Sequence, residues 1–300
     1  MQTYIINIPQ TGEEYFFDAE EPARFFQACR TVRPMTLGST PRDNGNLFLT
    51  PDERKDVLSR EPKLAKFIHR VYGSREFIQN IERYCFWLTD ATPTDIKRSK
   101  ILYERVKNIK EFRLASTREE TRKQADNPHL FTEIRQPKTE YLLIPSVSSK
   151  ERTYIPIGYL PPEVITTDAA FVLENATPYH FAILTSIMHM AWMRRVCGRL
   201  RDDYRYSNTI VYNDFVFPKA DPRQVLEIFR TGCAILDARE NHPSASLADL
   251  YDEVSMPKDL RDAHRANDKA VLAAYGLPAD TPEDEMVEFM FKLYHEALGR

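Results

Sequence analysis

A short charged stretch, GRLRDDYRYS (Gly198–Ser207), directly follows an almost wholly apolar segment of the chain. The guanidinium of Arg201 can donate two hydrogen bonds to O6 and N7 of guanine, and the carboxylate of Asp203 can accept one from the amino group of cytosine. Together these two side chains could read both members of one G·C pair, provided that the backbone between them is extended or turning. The alternative is a solvated helix end, where arginine offsets the helix dipole.

Further cationic and aromatic side chains near this pair form a second set of candidate contacts. The arginines of this set are Arg194, Arg195, Arg199 and Arg205. As phosphate contacts they would add affinity and salt sensitivity but no sequence preference. Salt bridges to Asp202 and Asp214 are the alternative use of the same arginines. Tyr204 and Tyr206 either pack against sugar or buttress the loop.

Two other segments carry side chains suited to contact with a nucleic acid. SVSSKERTY (Ser146–Tyr154) is either a second groove-contacting segment or a solvated hairpin tip. Its candidate residues are Ser148, Ser149, Lys150 and Arg152. GSTPRDNGN (Gly38–Asn46) is a loop by composition, in which Arg42 and Asn44 are candidate DNA contacts, although turn formation explains its asparagines and glycine equally well.

The sequence lacks the common catalytic signatures. It has 9 glycines and no G-x-G, and it contains no N-P-P-[YF] loop, P-loop, H-E-x-x-H or G-x-S-x-G. Pro41, Asp43, Glu53 and Lys55 resemble the D…E-x-K pattern of metal-dependent nucleases. The last two fall in the first turns of a capped helix, however, where side chains two positions apart diverge. We therefore expect no catalytic, cofactor-binding or metal site within these 300 residues.

The candidate residues depend on the elements that position them. Pro178–Leu200 is apolar nearly all round until Arg194, which predicts a buried helix. A strand-like run, Thr209–Pro218, comes after the charged stretch. Other short runs rich in β-branched and aromatic residues predict a small, largely antiparallel sheet. Those runs are Ile81–Asp90, Leu130–Pro137, Tyr141–Ser149, Thr153–Pro161 and Ala169–Asn175.

Threonine–proline pairs mark several helix starts, because the hydroxyl caps free amides and proline at the first helical position loses no hydrogen bond. The threonines of these pairs are Thr50, Thr92, Thr177 and Thr281. Ser99–Ser116 has apolar residues at helical spacing, and the acidic region after Pro218 is helical by period throughout. The expected fold class is α+β, with a small mostly antiparallel sheet and a buried central helix, followed by a small all-helical domain.

Composition and charge set broader bounds. A chain of 300 residues with 42% apolar and 28% charged residues is typical of an ordinary soluble protein of one or two domains. The net charge is −1 over residues 1–90, +4 over 91–218 and −6 over 219–300, so a basic middle could face nucleic acid, although ordinary surface variation gives the same pattern. The chain has no bilayer-length apolar run and no visible signal peptide, and its four cysteines are far apart, which favours a cytoplasmic protein without a membrane partner.

Several long runs resemble the C-terminal part of MmeI-like type IIL restriction-modification enzymes. They are GSTPRDNGNLFLT (Gly38–Thr50), REFIQNIERYCFWL (Arg75–Leu88), FRLASTREETRKQAD (Phe112–Asp126), FTEIRQPKTEYLLIPSVSSKERTYIPIGYL (Phe131–Leu160) and YHFAILTSIMHMAWMRRVCGRLRDDYRYSNTIVYNDFVFP (Tyr179–Pro218). In that family one polypeptide joins a nuclease domain, an adenine-methylating domain, a target recognition domain and a short helical C-terminal domain.

The resemblance implies a DNA target recognition domain at residues 36–218 and a helical C-terminal domain at 219–300, with 1–35 as a connector from an upstream methyltransferase domain. It implies base reading by Arg201 and Asp203, with double-stranded DNA and that linked domain as partners. The parent would be a site-specific adenine DNA methyltransferase with endonuclease activity, which uses S-adenosylmethionine for N6 methylation and Mg for cleavage; this chain would hold neither centre. A free-standing protein-interaction domain without DNA binding and a complete small enzyme remain as alternatives.

Overall fold

The computed structural model describes residues 5–8, 13–16 and 21–299, with side chains from residue 25 onward. The helices are α1 (Glu21–Arg30), α2 (Pro51–Arg60), α3 (Ser74–Ile78), α4 (Pro93–Arg98), α5 (Lys100–Leu114), α6 (Glu119–Lys123), α7 (Pro178–Leu184), α8 (Ile187–Val196), α9 (Pro222–Glu240), α10 (Leu247–Leu250), α11 (Lys258–Tyr275) and α12 (Glu283–Ala297). The strands are β1 (Ile5–Ile8), β2 (Glu13–Phe16), β3 (Met35–Leu37), β4 (Phe48–Leu49), β5 (Ile68–Tyr72), β6 (Tyr84–Phe86), β7 (Tyr141–Pro145), β8 (Val147–Ser148), β9 (Gly158–Leu160), β10 (Ile165–Thr166), β11 (Ala170–Glu174), β12 (Gly198–Leu200) and β13 (Asp203–Arg205). Residues 1–4, 9–12 and 17–20 of the proposed connector, residues 1–35, lie outside the described residues, and the connector role stays a prediction.

The first small sheet has the strand order β10–β5–β6–β4 and shares a hydrophobic cluster with α2 and α5. Its pairs are antiparallel except β5 with β10, where Val71 lies opposite Ile165. The expected helix start at Thr50 is confirmed: Thr50 Oγ1 accepts from the Glu53 amide at 3.2 Å, and Glu53 Oε2 accepts from the Thr50 amide at 2.8 Å. This capping box fixes the chain as it leaves the loop before β4 and α2.

The second sheet has the order β3–β11–β7–β9 and is antiparallel throughout. Its two central strands are buried on both faces. Ile144 and Phe171 lie opposite each other and belong to the core that contains α7 and α8, whereas Leu143 and Val172 belong to a smaller cluster with Phe77 of α3. Because successive side chains alternate between the two faces, these short strands join two packing layers.

The expected buried helix over Pro178–Leu200 is two helices rather than one. The break lies at Thr185 and Ser186, where Ser186 Oγ accepts from the His189 amide at 3.3 Å and caps α8. Short hydroxyl side chains compete for backbone hydrogen bonds in this way, and so favour caps over helix interiors. The second helix ends at Val196, so that Gly198–Leu200 begin a strand.

The region after Lys219 is helical, as expected, but it shares one core with α7 and α8. Gly232 of α9 lies so close to Pro178 that a Cβ at that position would meet the Pro178 carbonyl oxygen at 2.5 Å. The Trp192 ring of α8 meets Phe291 of α12 at 5.2 Å between centroids. The fold class is confirmed: a mixed α and β domain with small, mostly antiparallel sheets precedes the helical region.

Two expected strands are wrong. Leu130–Pro137 is irregular apart from an isolated bridge between Glu133 and Thr40. In Thr209–Pro218 the chain instead forms a π-helix, Asn208–Tyr212, which is capped by Ser207 and followed by irregular backbone. Short apolar runs do not distinguish a strand from a helical turn by periodicity alone, and tertiary packing decides between them.

Candidate nucleic-acid interface

The charged stretch that follows α8 forms a β-hairpin. Strands β12 and β13 pair antiparallel, with Gly198 opposite Arg205 and Leu200 opposite Asp203, so the turn consists of Arg201 and Asp202. Arg201 has a φ of 55°, in the left-handed region that favours glycine, at a cost of about 1 kcal/mol for other residues. Both turn residues are exposed. Backbone strain held at an exposed turn is typical of functional positions.

Two tyrosines anchor the hairpin in the core. Tyr204 lies opposite Ser148 of β8, and the Tyr206 amide donates to the Ser146 carbonyl at 2.9 Å. Their side chains are 8% and 4% exposed, and the Tyr206 hydroxyl lies 3.0 Å from Nε2 of His189 in α8. Both tyrosine side chains therefore lie inside the protein, beneath the hairpin.

Several charged side chains of the hairpin are exposed. The Arg199 guanidinium stacks over the Tyr204 ring at 4.2 Å, and its Nη1 donates to the Asp202 carbonyl at 3.4 Å. Lys150 Nζ lies 3.5 Å from Asp202 Oδ2, and both side chains are largely exposed. Arg205 is exposed as well. Exposed pairs of this kind contribute little to stability, so these charges remain available to an anionic partner.

The Ser146–Tyr154 segment lies beside the hairpin and splits into buried and accessible residues. Ser148 is 3% exposed, and its hydroxyl has no hydrogen-bond partner among the described residues. Lys150 is exposed, whereas Ser149 and Arg152 are half-buried. Burial lowers the pKa of Arg152, and the charges of Asp203 and Asp252 oppose that shift. Asp203 therefore sits in the field of a cation from the neighbouring segment.

Arg194 is committed to contacts within the protein. Its Nη1 donates to Glu283 Oε2 at 2.7 Å, and its Nη2 donates to the Thr153 carbonyl at 2.7 Å. The expected partners Asp202 and Asp214 are therefore not its partners, and its guanidinium links α8 to α12. Arg195, one residue further along, is exposed.

The loop that carries Arg42 and Asn44 is held in an unusual conformation. Arg42, Asn44 and Gly45 have φ values of 40°, 51° and 80°, and Asp43 Oδ2 accepts from the Leu47 amide at 2.6 Å. The guanidinium of Arg113, which is 0% exposed, donates to five backbone carbonyls. Those carbonyls are Pro41 (3.0 Å), Arg42 (3.1 Å), Gln124 (3.0 Å), Asn127 (3.1 Å) and Leu130 (2.7 Å). The side chains of Arg42 and Asn44 are exposed on this fixed loop.

Sequence reasoning missed the two buried charges, Arg113 and Asp43, as determinants of this loop. A signal for Arg113 was present, because its spacing from Leu102 and Ile109 places it on the inner face of α5. A charged residue on an apolar helix face is almost never fully buried unless its hydrogen-bonding groups have partners.

Three buried histidines should make the fold sensitive to acid. Burial lowers the pKa of His189 to about 3 and of His180 to about 4, and it lowers the pKa of His264 well below its ordinary value. The unfolded chain takes up these protons below about pH 6.5, so their contribution is complete above that pH and is lost as the pH falls. Burial also raises the pKa of Asp268 to about 6, which partly offsets the loss between about pH 4 and 6.

We therefore expect the free energy of unfolding to fall by roughly 3 kcal/mol per pH unit near pH 5, equivalent to a net uptake of about two protons. Urea unfolding at pH 7.5, 6 and 5 measures this slope. His189→Gln should reduce it by about one proton, because one buried imidazole is removed. A free energy of unfolding that stays constant between pH 7.5 and 5 would contradict the conclusion that burial keeps these histidines neutral.

The described residues form neither a metal-binding cluster nor a membrane-spanning helix. Among them, no group of three or more His, Cys, Asp and Glu is placed to hold a metal ion. Asp43 and Glu53, members of the nuclease-like pattern, instead accept hydrogen bonds from the Leu47 and Thr50 amides. Within the described residues, no helix is both long and apolar enough to cross a membrane.

Comparisons with known proteins identify the family. Residues 24–219 match the family described as MmeI, target recognition domain, and residues 220–299 match MmeI, C-terminal domain. The chain is similar to "DNA methyltransferase A" of Bacillus subtilis (strain 168), with 36% identity over 264 residues, which cover 88% of this chain and 30% of the relative.

A solved structure gives the same answer. The structure of the type IIL restriction-modification enzyme MmeI in complex with DNA is 39% identical in sequence and has a TM-score of 0.88. The match covers 91% of this chain and 36% of that chain, so the present chain spans about a third of the length of these relatives. The chain belongs to the MmeI family and carries its target recognition domain and its C-terminal domain.

Proposed function

We propose that this chain is the duplex-DNA recognition module of a restriction-modification DNA methyltransferase. The observation that carries the proposal is the hairpin turn, where Arg201 is held exposed in a strained conformation two residues before Asp203. A two-stranded ribbon fits the major groove, which is the only groove in which all four base pairs present distinct patterns. The solved MmeI complex with DNA supports duplex DNA as the partner.

In this proposal the hairpin reads bases and its surroundings grip the backbone. Arg201 donates to O6 and N7 of a guanine, and Asp203 accepts from the amino group of the paired cytosine. The proposed contacts to phosphate or sugar are the half-buried Ser149 and the exposed Arg195, Arg199, Arg205, Lys150, Arg42 and Asn44. The residues that support this surface from within are Ser148, Arg152, Arg194, Tyr204 and Tyr206. The hairpin provides sequence choice, and the cations provide affinity.

The parent activity that we propose is S-adenosylmethionine-dependent N6 methylation of adenine, with Mg-dependent DNA cleavage. The similarity to a DNA methyltransferase and to a restriction-modification enzyme supports this. The described residues are suited to bind neither Mg nor S-adenosylmethionine: they contain no metal-ligand cluster, and the sequence has no G-x-G turn. We therefore assign both catalytic centres to a linked methyltransferase and nuclease portion. In this proposal residues 36–218 form the recognition domain and residues 219–300 the helical domain. The proposed location is the cytoplasm.

Salt dependence tests the proposal directly. Five accessible cations, Arg42, Lys150, Arg195, Arg199 and Arg205, predict a slope of about −4 to −5 for log affinity against log salt. Affinity for a duplex should then fall roughly 500-fold between 50 and 200 mM salt. Fluorescence anisotropy with a labelled duplex measures the slope. Arg205→Ala should reduce its magnitude by about 1. Absence of duplex binding at 50 mM salt would overturn the proposal and favour a protein-interaction domain.

A further inference from the structure

The segment between β8 and β9 lies beside the hairpin but lacks a regular hydrogen-bonding pattern of its own. Residues 149–157, all of them described, form turns and irregular backbone. Near the start of the segment, Nζ of the exposed Lys150 lies 3.5 Å from Oδ2 of Asp202 in the hairpin turn. Its far end is buried, since Ile155 and Ile157 lie in the main core. We call residues 149–157 the strap.

Helices of the C-terminal region hold the strap through its side chains. The Tyr154 hydroxyl donates to Asp268 Oδ2 of α11 at 2.6 Å, and Asp268 Oδ1 accepts from the Ile187 amide of α8 at 2.7 Å. The Tyr154 ring stacks on the imidazole of His264, also in α11, at 4.1 Å between centroids and 19° between planes. One residue of the strap is thereby fixed to both α11 and α8.

Two arginines donate hydrogen bonds to the backbone of the strap. Arg239 of α9 donates through Nη1 to the Ile157 carbonyl at 2.6 Å. Arg194, which is itself paired with Glu283 of α12, donates to the Thr153 carbonyl at 2.7 Å. Three helices of the C-terminal region, α9, α11 and α12, therefore contribute to the position of a segment whose tip touches the hairpin.

We propose that the helical C-terminal region positions the strap, and through it the sequence preference of the hairpin, with Tyr154 and Asp268 as positioning residues. The inference rests on the proposed DNA-reading function. A reading surface must be held to within about half an ångström of its productive geometry by such supporting contacts. Without the Tyr154 hydroxyl, Oδ2 of the half-buried Asp268 loses its donor, and the strap loses the hydrogen bond that joins it to α11.

The test compares Tyr154→Phe with Tyr159→Phe in the full chain. Phenylalanine keeps the ring at position 154 and removes only the hydroxyl that bonds Asp268. The control removes a buried hydroxyl that has no partner among the described residues. Both variants and the parent chain select sequences from a randomised duplex library, and anisotropy then gives the affinities for the selected duplex and a scrambled one. We expect Tyr154→Phe to reduce the ratio of these affinities roughly 10-fold at an unchanged salt slope, and Tyr159→Phe to leave the ratio unchanged.

Amide hydrogen exchange of the unbound chain provides a second measurement that needs no DNA. Tyr154→Phe should speed exchange in residues 149–153 relative to the parent, and Tyr159→Phe should not. An unchanged affinity ratio and unchanged exchange in Tyr154→Phe would overturn the inference while the parent chain still selects a sequence. An equal loss of affinity for selected and scrambled duplexes would also overturn it. If the parent selects no sequence at all, the proposed function itself fails.

Discussion

Replacing Arg113 with methionine is expected to lower the free energy of unfolding by roughly 3–5 kcal/mol. The variant keeps a long side chain in the same buried space but removes the donors for five carbonyl groups. Two of these belong to Pro41 and Arg42, so the loss falls on a loop that already holds two non-glycine residues, Arg42 and Asn44, at positive φ. Equilibrium urea unfolding at pH 7.5 measures the change.

Two further variants separate geometry from charge. Arg113→Lys keeps the positive charge but cannot reproduce the planar fork of donors, so most of the loss should remain. Arg122→Met removes an exposed guanidinium that donates to the Ser116 and Thr117 carbonyls, and should cost less than about 1 kcal/mol. If Arg113→Met unfolds within 1 kcal/mol of the parent chain, the buried guanidinium does not hold the loop.

The variants Arg201→Gly and Asp203→Ala should each weaken discrimination at a single G·C pair by about 1–3 kcal/mol, or roughly 5- to 150-fold. Glycine at position 201 also relieves the left-handed backbone at φ 55°. The thermal stability of Arg201→Gly should therefore match or exceed that of the parent chain, although the variant loses the preference for the G·C pair. Sequence selection from a randomised duplex library, followed by anisotropy with single-pair variants of the selected site, measures both effects.

Arg205→Ala is the matched control on the same hairpin. Arg205 is exposed like Arg201 but lies on β13 rather than in the turn. As a phosphate contact it should lower affinity for all duplexes alike and leave the selected sequence unchanged. If the selected sequence is the same for Arg201→Gly and Asp203→Ala as for the parent, neither residue is a base reader.

Much of the fold could be predicted from local chemistry. The Thr50 capping box, the helix within Ser99–Ser116 and the central strands within Tyr141–Ser149 and Ala169–Asn175 follow from caps, helical spacing and β-branched runs. The π-helix Asn208–Tyr212 could not be predicted in this way, because Trp192 Nε1, from a different helix, donates to the Val211 carbonyl.

The site was less predictable because its supports come from distant parts of the chain. The partner of Arg194 is Glu283, and the partner of Tyr154 is Asp268, so no local pattern reveals either pair. For the hairpin a local signal was present: in Asp203–Tyr206, charged and aromatic residues alternate with a period of two, which indicates a strand with one buried face. The prediction for Tyr204 and Tyr206 nevertheless left both packing against sugar and buttressing of the loop open.

The central claim is that Arg201 contacts the edge of a guanine, and a thermodynamic cycle between side chain and base tests it most directly. Each guanine of the selected site is replaced singly by 7-deazaguanine, which lacks the N7 acceptor, and binding is measured for the parent chain and for Arg201→Gly. The account predicts that at one guanine the two changes are coupled by about 1 kcal/mol or more, because they remove the same hydrogen bond. Additive effects at every guanine would contradict it.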